Sequence, residues 1–345
     1  MDGLRWLGFA LVVAASLQMP APAAAAQIGQ RWNCTGEPDI PWDVQIRGCT
    51  AAIASGKYAG KGVVWAYWGR AAAYEHTGDY DRAIADFTAV IDLDPQSPAY
   101  TNRGFSYYRK NDYDRAIADY NEAIRLDPRN ATAFLNRGQA YNRKKDLDHA
   151  IADYTEAIRL APKSALAYEN RGFAYYNKHD YDRAIADSDA AIRLDPRDAY
   201  AYLGRGLAYD QKKDYEHAIA SFSETIRLDP KNISAYGVRC WDRAVVGREL
   251  QDAIADCDQF LRAYANHPTG LNGRGLVYYK LGEYRKAIAD YSAAIAQDAK
   301  DAGSLYARGM AKLKTGDTAG GNADIAAAKT IEADIANLYA TYGVR

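Results

Sequence analysis

The stretch YDRAIADYNEAIRLDP, residues 113–128, decides the fold because its landmarks return at a fixed spacing along the chain. Its first seven residues, Tyr113 to Asp119, recur from Tyr181 to Asp187. Its closing dipeptide returns at intervals of 34 residues as Ala161-Pro162, Asp195-Pro196 and Asp229-Pro230. Matches of this length at one period indicate an internal repeat, in which each unit is a small element stacked on its neighbours.

Each unit is predicted to form two helices. The first helix carries four residues at the i, i+3, i+4 and i+7 spacing of one helical face: Tyr100, Arg103, Gly104 and Tyr107. The second helix follows Asp112, whose carboxylate can cap a helix start, and it ends at Asp127-Pro128 because proline cannot continue a helix. Small residues lie where the two helices would cross, at Gly104, Ala116 and Ala123.

This pattern resembles the tetratricopeptide repeat (TPR), which has large residues at positions 4, 11, 17 and 24, small ones at 8, 20 and 27, and proline at 32. The resemblance implies an all-α fold, a right-handed superhelical solenoid of antiparallel helix pairs. It predicts eight units, at residues 64–97, 98–130, 131–164, 165–198, 199–232, 233–267, 268–301 and 302–335. Residues 336–345 are expected to form a helix that caps the exposed end of the stack.

Three of the eight units depart from the family pattern. Unit six has an insertion near Glu249-Leu250, and unit seven has Ala299 where proline is expected. Unit eight has Gly321 in place of the first alanine of its second helix. The resemblance is therefore strongest in units one to five.

The N-terminal residues have the composition of a secretory signal peptide. Arg5 precedes an uncharged apolar run from Leu7 to Leu17, and Ala24-Ala25-Ala26 fits a cleavage site. The alternative is an uncleaved membrane anchor, but a run of about 11 residues is too short to span ~30 Å of hydrocarbon. We therefore expect residues 1–26 to be removed near Ala26, and the mature protein to be periplasmic or extracellular.

Four cysteines follow the predicted signal peptide, and an oxidising compartment favours two disulfides among three possible connectivities. In the repeat register that the resemblance supplies, Cys240 falls at position 8 and Cys257 at position 24, which face each other. Cys49 also falls at position 24, and Cys34 lies fifteen residues before it. The predicted pairs are Cys34–Cys49 and Cys240–Cys257.

The pair Cys34–Cys49 makes residues 27–63 a disulfide-closed helical hairpin at the front of the array. Closing a loop of this size stabilises a hairpin by roughly 3 kcal/mol. Free buried thiols are the alternative. Catalytic or metal-binding cysteines are disfavoured because the chain lacks a CxxC motif and suitably spaced histidines.

Position 7 is arginine in all eight units, and position 23 is aspartate in seven of them. The pairs are Arg70 with Asp86, Arg103 with Asp119, Arg137 with Asp153, Arg171 with Asp187, Arg239 with Asp256, Arg274 with Asp290, and Arg308 with Asp324. Unit five has Arg205 and Ser221. The matched recurrence favours a ladder of structural ion pairs over a ladder of anion-binding arginines.

A binding surface is predicted from the family, in which first-helix positions 2, 5, 6, 9, 12 and 13 line a concave peptide groove. Those positions here carry aromatic and amide side chains: Trp65, Trp68, Phe105, Tyr108, Asn136, Asn142, Asn170, Phe173, Tyr176, Trp241 and Tyr279. Aromatic rings provide contact area at low entropic cost, and asparagine can both donate to and accept from a peptide backbone. The alternative is that several of these rings only pack between neighbouring units.

No feature of the chain predicts catalysis or a cofactor. It contains no HExxH, GxSxG or Gly-rich phosphate loop, and its acidic residues recur with the period. The 43 basic and 44 acidic residues are interspersed, with a formal net charge of −1, so the basic stripe that nucleic-acid binding requires is missing.

The expected function is a non-enzymatic protein–protein interaction scaffold in the cell envelope, which binds a peptide or protein in its concave groove. One alternative is a permanent subunit or adaptor of a secretion or envelope-assembly complex. A further alternative is glycan or small-ligand binding on the tyrosine- and asparagine-rich face.

Overall fold

The computed structural model describes Cys34 and residues 40–345, and the regular elements of this part of the chain are all helices. The prediction of an all-α array of helix pairs is confirmed. Contacts divide the chain into a unit that ends at Pro95 and a unit that begins at Gln96. The predicted signal peptide, residues 1–26, lies outside the described residues, and so does most of the predicted first arm of the hairpin.

The first unit contains α1 (Trp42–Ala54), a 3-10 turn (Gly60–Val63), α2 (Val64–Thr77) and α3 (Tyr80–Leu93). Helix α1 packs on α2, and α2 packs on α3. A disulfide joins Cys34 to Cys49 in α1, with a Cα–Cα distance of 4.8 Å. Gly69 of α2 lies so close that a Cβ atom there would be 2.5 Å from the carbonyl oxygen of Cys34. The disulfide is thus buried where α1 meets α2.

The second unit is a series of seven helix pairs followed by one short helix. The pairs are α4 (Ala99–Arg109) with α5 (Tyr113–Leu126), α6 (Ala131–Arg143) with α7 (Leu147–Leu160), α8 (Ala165–Asn177) with α9 (Tyr181–Leu194), α10 (Ala199–Gln211) with α11 (Tyr215–Leu228), α12 (Ile233–Val246) with α13 (Leu250–Ala263), α14 (Pro268–Lys280) with α15 (Tyr284–Gln297), and α16 (Ala302–Lys314) with α17 (Thr318–Ile331). The last helix is α18 (Ile335–Thr341). We number the pairs as repeats, with α2–α3 as repeat one and α16–α17 as repeat eight.

Local sequence explains where the helices begin and turn. Asp112 caps α5, as predicted, because its Oδ1 accepts a hydrogen bond from the backbone N–H of Arg115 at 3.2 Å. The turn before it contains Asn111 with φ of 62°, in the left-handed region that ends many helices. In repeat six the turn has two left-handed residues, Gly247 and Glu249, which accommodates the predicted insertion.

The core of most pairs in the second unit is a contact between a small residue on the first helix and a large ring on the second. A Cβ atom on Gly138 would lie 2.7 Å from Cε1 of Tyr154, so the ring packs directly on the glycine backbone. In repeat six the disulfide Cys240–Cys257, with a Cα–Cα distance of 5.2 Å, takes the place of this contact. The covalent bond therefore joins the two helices of one repeat.

The arginine and aspartate of seven repeats form paired hydrogen bonds. The distance from arginine Nε to aspartate Oδ2 is 2.7–2.8 Å in each of them. In repeats three to eight, Nη1 of the arginine also donates to a side-chain oxygen of the preceding repeat, at 2.6–3.2 Å. Because the N–H donors of these arginines are occupied inside the array, the arginines link the two helices of a repeat and link neighbouring repeats.

Candidate partner-binding face

Several first helices of neighbouring repeats in the second unit contact one another, as α4 does α6, α6 does α8, and α8 does α10. We call the surface formed by the first helices α4, α6, α8, α10, α12 and α14 the first-helix face. Side chains on it are brought together although they are about one repeat apart in sequence. This face is where most of the predicted groove residues lie.

Several predicted groove residues are half-buried on the first-helix face: Phe105, Asn136, Asn142, Asn170, Phe173 and Tyr176. Phe173 and Tyr176 of α8 pack against a core cluster that contains Leu203 and Leu207 of α10. Asn170 uses its amide nitrogen within its own helix, since Nδ2 donates to the carbonyl oxygen of Leu166 at 2.9 Å. The central part of the face, on α4 to α8, therefore presents partly exposed rings and amides.

Trp65 and Trp68 belong to α2 of the first unit and pack within it. The ring of Trp65 meets that of Tyr58 edge-on at 5.3 Å, and the ring of Trp68 meets that of Phe87 edge-on at 5.7 Å. Both tryptophans remain half-buried. Packing inside the unit accounts for the position of these two rings.

Two of the predicted groove tyrosines are buried and do not line an open surface. Tyr108 is only 7% exposed, and its hydroxyl accepts a hydrogen bond from Nε of Arg143 at 3.1 Å. Tyr279 is 6% exposed, and its hydroxyl donates to the carbonyl oxygen of Arg345 at 3.0 Å. The prediction that these rings are available to a partner needs correction, because each is covered by its neighbours.

The chain's own C-terminal segment, which we define as residues 342–345, covers the first-helix face of repeats six and seven. The ring of Tyr342 packs edge-on against Trp241 of α12 at 5.5 Å. Val344 is buried in the same cluster as Tyr339. The predicted capping helix over residues 336–345 is thus shorter than expected, since α18 ends at Thr341. Trp241 contacts this segment instead of an open groove.

Acidic pairs on the first-helix face were not predicted from the sequence. The carboxyl groups of Asp210 in α10 and Asp242 in α12 lie next to each other. Burial has the larger effect and the charge of Asp210 the smaller one, and together they raise the pKa of Asp242 well above its usual value. Glu169 of α8 lies against Asp198, and burial, with the charge of Asp198, raises the pKa of Glu169 to about 9. Two carboxyl groups so close cannot both be charged at low cost.

The sequence contained a signal for these pairs that the periodic analysis overlooked. Glu169 is at position 5 of unit four and Asp210 at position 12 of unit five, and both positions belong to the groove set of the family. Most acidic residues in the chain recur with the repeat, whereas these two replace the leucine and tyrosine found in neighbouring units at Leu203 and Tyr176. Their departure from the period was the informative feature.

The described part of the chain has no group of three or more His, Cys, Asp or Glu side chains placed to hold a metal ion. Among the same residues, no helix combines the length and apolar character needed to cross a bilayer.

Comparison with known proteins supports the repeat assignment. Tetratricopeptide repeat models match residues 64–97, 101–165, 153–186 and 170–233, and a TPR repeat model matches residues 275–316. These matches cover more than half of the chain. No curated protein is significantly similar to it in sequence.

Solved structures similar to this chain include a tetratricopeptide repeat protein and a component of a larger complex. A tetratricopeptide repeat protein from Parabacteroides merdae is 20% identical with a TM-score of 0.51, over 73% of this chain and 98% of that one. The APC/C hetero-tetramer Cut9–Hcn1 is 17% identical with a TM-score of 0.53, over 79% of this chain and 53% of that one. MamA is 26% identical with a TM-score of 0.44, over 47% of this chain and 95% of that one. The family models and the helix pairs agree with the two folds whose TM-scores exceed 0.5, and the chain belongs to the tetratricopeptide repeat family.

Proposed function

We propose that this chain is a non-enzymatic scaffold that binds a peptide or protein partner on the first-helix face of repeats two to seven. The observation that carries this proposal is the strip of half-buried rings and amides on adjacent first helices, from Phe105 through Asn142 to Phe173 and Tyr176. A ring that is partly exposed can gain further burial when a partner binds, and this gain favours association.

The exposed apolar residues favour this function over that of a permanent subunit. An obligate interface requires a contiguous apolar patch. The large hydrophobic residues exposed in the described part of the chain lie in α1, α9 and α17 and just after α13: Trp42, Leu194, Ile331 and Tyr264. Scattered residues of this kind do not form the patch that a permanent partner would cover.

We also propose that the protein is exported to an oxidising compartment of the cell envelope or beyond it. Both buried cysteine pairs are joined as disulfides, a state that persists in secreted proteins and is rare in the cytosol. The signal-like composition of residues 1–26 agrees with export. N-terminal sequencing of the protein from a periplasmic or secreted fraction tests this proposal, and Gln27 is the expected first residue.

The binding proposal is tested by capture from that same fraction with immobilised protein. A variant with Phe173→Ala and Tyr176→Ala should lose the partner that the wild type retains. The matched control is Leu194→Ala, which removes a 40% exposed apolar side chain at the end of a second helix. Equal capture by the double variant and the wild type would mean that the partner does not bind on the first-helix face.

A further inference from the structure

The Asp210–Asp242 pair is an unusual feature of an otherwise charge-compensated array. Asp242 is fully buried, and no N–H or hydroxyl group donates a hydrogen bond to either of its carboxylate oxygens. Asp210 is half-buried and accepts a hydrogen bond from Nε2 of Gln211 at 3.0 Å. Within the described residues, neither carboxyl forms a salt bridge with an Arg, Lys or His side chain. The pair thus lacks the positive partner that each ladder aspartate has.

A buried carboxylate without a donor is costly, so the pair has two ways to lower its energy. One is to hold a proton between the two carboxyl groups, and the other is to take up an external cation. Asp242 is fully buried and interacts with the half-buried Asp210, so a cation at Asp210 would interact with the charge of both groups. The half-buried carboxyl of Asp210 is the point of access for a cation, and the buried carboxyl of Asp242 strengthens the electrostatic attraction at that point.

Three tyrosines lie near this point of access. The charge of Asp210 contributes to raising the pKa of Tyr176 in α8 to about 12, after the larger effect of burial. Tyr215 at the start of α11 and Tyr342 of the C-terminal segment also lie close enough to be influenced by Asp210. Carboxylates together with aromatic faces attract ammonium and guanidinium groups through charge and cation–π interactions.

The second acidic pair, Glu169–Asp198, sets a distance between two acidic sites on the first-helix face. Asp198 caps the start of α10, where its Oδ1 accepts from the backbone N–H of Tyr200 at 2.9 Å, and Asp210 lies near the end of the same helix. Twelve residues along a helix span about 18 Å. An extended peptide covers about 3.3 Å per residue, so positive side chains five or six residues apart match the two pairs. Glu169, beside Asp198, is half-buried like Asp210.

We propose that the first-helix face of repeats four to six binds a basic segment of a partner polypeptide, with one Lys or Arg side chain at Asp210–Asp242 and another at Glu169–Asp198. This inference rests on the proposed function and names the chemistry of its partner. When the cationic group binds, the proton held by an acidic pair passes to the solvent. Binding should therefore release protons and tighten as the pH rises.

The experiment uses isothermal titration of the disulfide-intact protein with two synthetic peptides, both acetylated and amidated. One is Lys-Ala-Ala-Ala-Ala-Lys, and its neutral match has glutamine in place of both lysines. The wild type should bind the lysine peptide at least about tenfold more tightly, a difference of about 1.4 kcal/mol. Titrations at pH 7 in buffers of different ionisation enthalpy should show proton release with the lysine peptide.

Variants separate this site from the general charge of the protein. Asp210→Asn with Asp242→Asn should weaken the preference for lysine and remove the proton release that comes from that pair, while Glu169–Asp198 still binds one lysine. Asp252→Asn, an exposed acidic residue of α13, is the control and should leave both unchanged. The single variant Asp210→Asn, at the half-buried position, provides the same readout if the double variant does not fold. Circular dichroism checks the fold of each variant.

Two outcomes would overturn the inference. One is equal affinity of the wild type for the lysine and glutamine peptides, and the other is a lysine preference that the Asn substitutions leave undiminished. Either result leaves the proposed function standing if Phe173→Ala with Tyr176→Ala still abolishes partner capture. If partner capture does not depend on Phe173 and Tyr176 while the lysine preference is intact, the proposed aromatic strip is wrong instead.

Discussion

The guanidinium of Arg171 holds the carboxylate of Asp187 with two parallel hydrogen bonds, Nε to Oδ2 at 2.7 Å and Nη2 to Oδ1 at 2.8 Å. Its Nη1 donates to the hydroxyl of Thr155 in the preceding repeat at 3.0 Å. One arginine therefore joins the two helices of its own repeat and also joins that repeat to its neighbour. This relationship recurs along the array and makes the ladder part of the scaffold.

Arg171→Ala should lower the free energy of unfolding by about 3–5 kcal/mol, because it leaves Asp187 nearly buried without its charged partner. The side chain of Arg171 is 17% exposed and that of Asp187 is 8% exposed. The control is Arg159→Ala, which breaks an exposed surface pair with Glu156 and should have a much smaller effect. Urea unfolding measures both. Equal losses in the two variants would contradict the structural role of the ladder.

The ring at the centre of a repeat allows a test of buried polar groups. The hydroxyls of Tyr154 and Tyr291 are buried without a hydrogen-bond partner, whereas Phe222 fills the equivalent place in repeat five. Tyr154→Phe and Tyr291→Phe should each raise the free energy of unfolding by about 1 kcal/mol, since they remove an unsatisfied group. Thermal unfolding measures the change.

Tyr279→Phe is the matched opposite of those two variants. It removes a hydroxyl that donates to the carbonyl oxygen of Arg345, so it should lower stability by about 1 kcal/mol. A gain in stability here, or a loss in the Tyr154 and Tyr291 variants, would show that the hydrogen bonding of these three hydroxyls differs from the structure.

The stability of the fold should depend on pH through Glu169. Its pKa is raised from 4.5 to about 9, by burial first and then by the charge of Asp198. A folded-state pKa above the unfolded value means that the folded state holds its proton more tightly. The resulting stability is fully present below about pH 4.5 and is lost as the pH rises towards about 9.

Glu169→Gln should remove this dependence, because glutamine stays neutral and has a similar shape. The variant should gain several kcal/mol over the wild type at pH 8, at about 1.4 kcal/mol for each pH unit above the unfolded pKa, and little at pH 4. Chemical unfolding across this pH range measures the difference. A constant difference between the two proteins from pH 4 to pH 8 would be the contrary result.

The C-terminal segment should protect repeats six and seven from solvent. Tyr342→Ala removes a buried ring that packs on Trp241, so hydrogen exchange in α12 should accelerate and stability should fall by about 3 kcal/mol. Thr341→Ala, at the exposed end of α18, serves as the control. Unchanged exchange in α12 after Tyr342→Ala would mean that the segment does not hold this position in solution.

Periodic features of the sequence predicted what the repeat itself determines. The Asp112 cap follows from its place before a helix, and the Cys240–Cys257 bridge from a register in which positions 8 and 24 face each other. Both depend on spacing within one unit. The fold and the disulfides could therefore be predicted from local pattern.

Contacts that break the period could not be predicted in the same way. Asp210 and Asp242 belong to different repeats, and their close approach depends on how α10 and α12 are arranged. Residues 342–345 have no counterpart in any repeat, so their contact with Trp241 could not be predicted from the repeat register. The predicted groove included Trp241 because its position was read within one unit, without the segment that returns from the end of the chain.

The most direct test of a partner on the first-helix face is photo-crosslinking in cells that produce the protein. A photoreactive amino acid replaces Phe173 or Asn142 on that face, and in control proteins it replaces Ala152 or Ala186, which are exposed on second helices. We predict that one protein partner crosslinks at the first-helix positions and at neither control position. Crosslinks at Ala152 or Ala186 without any at Phe173 or Asn142 would contradict the account.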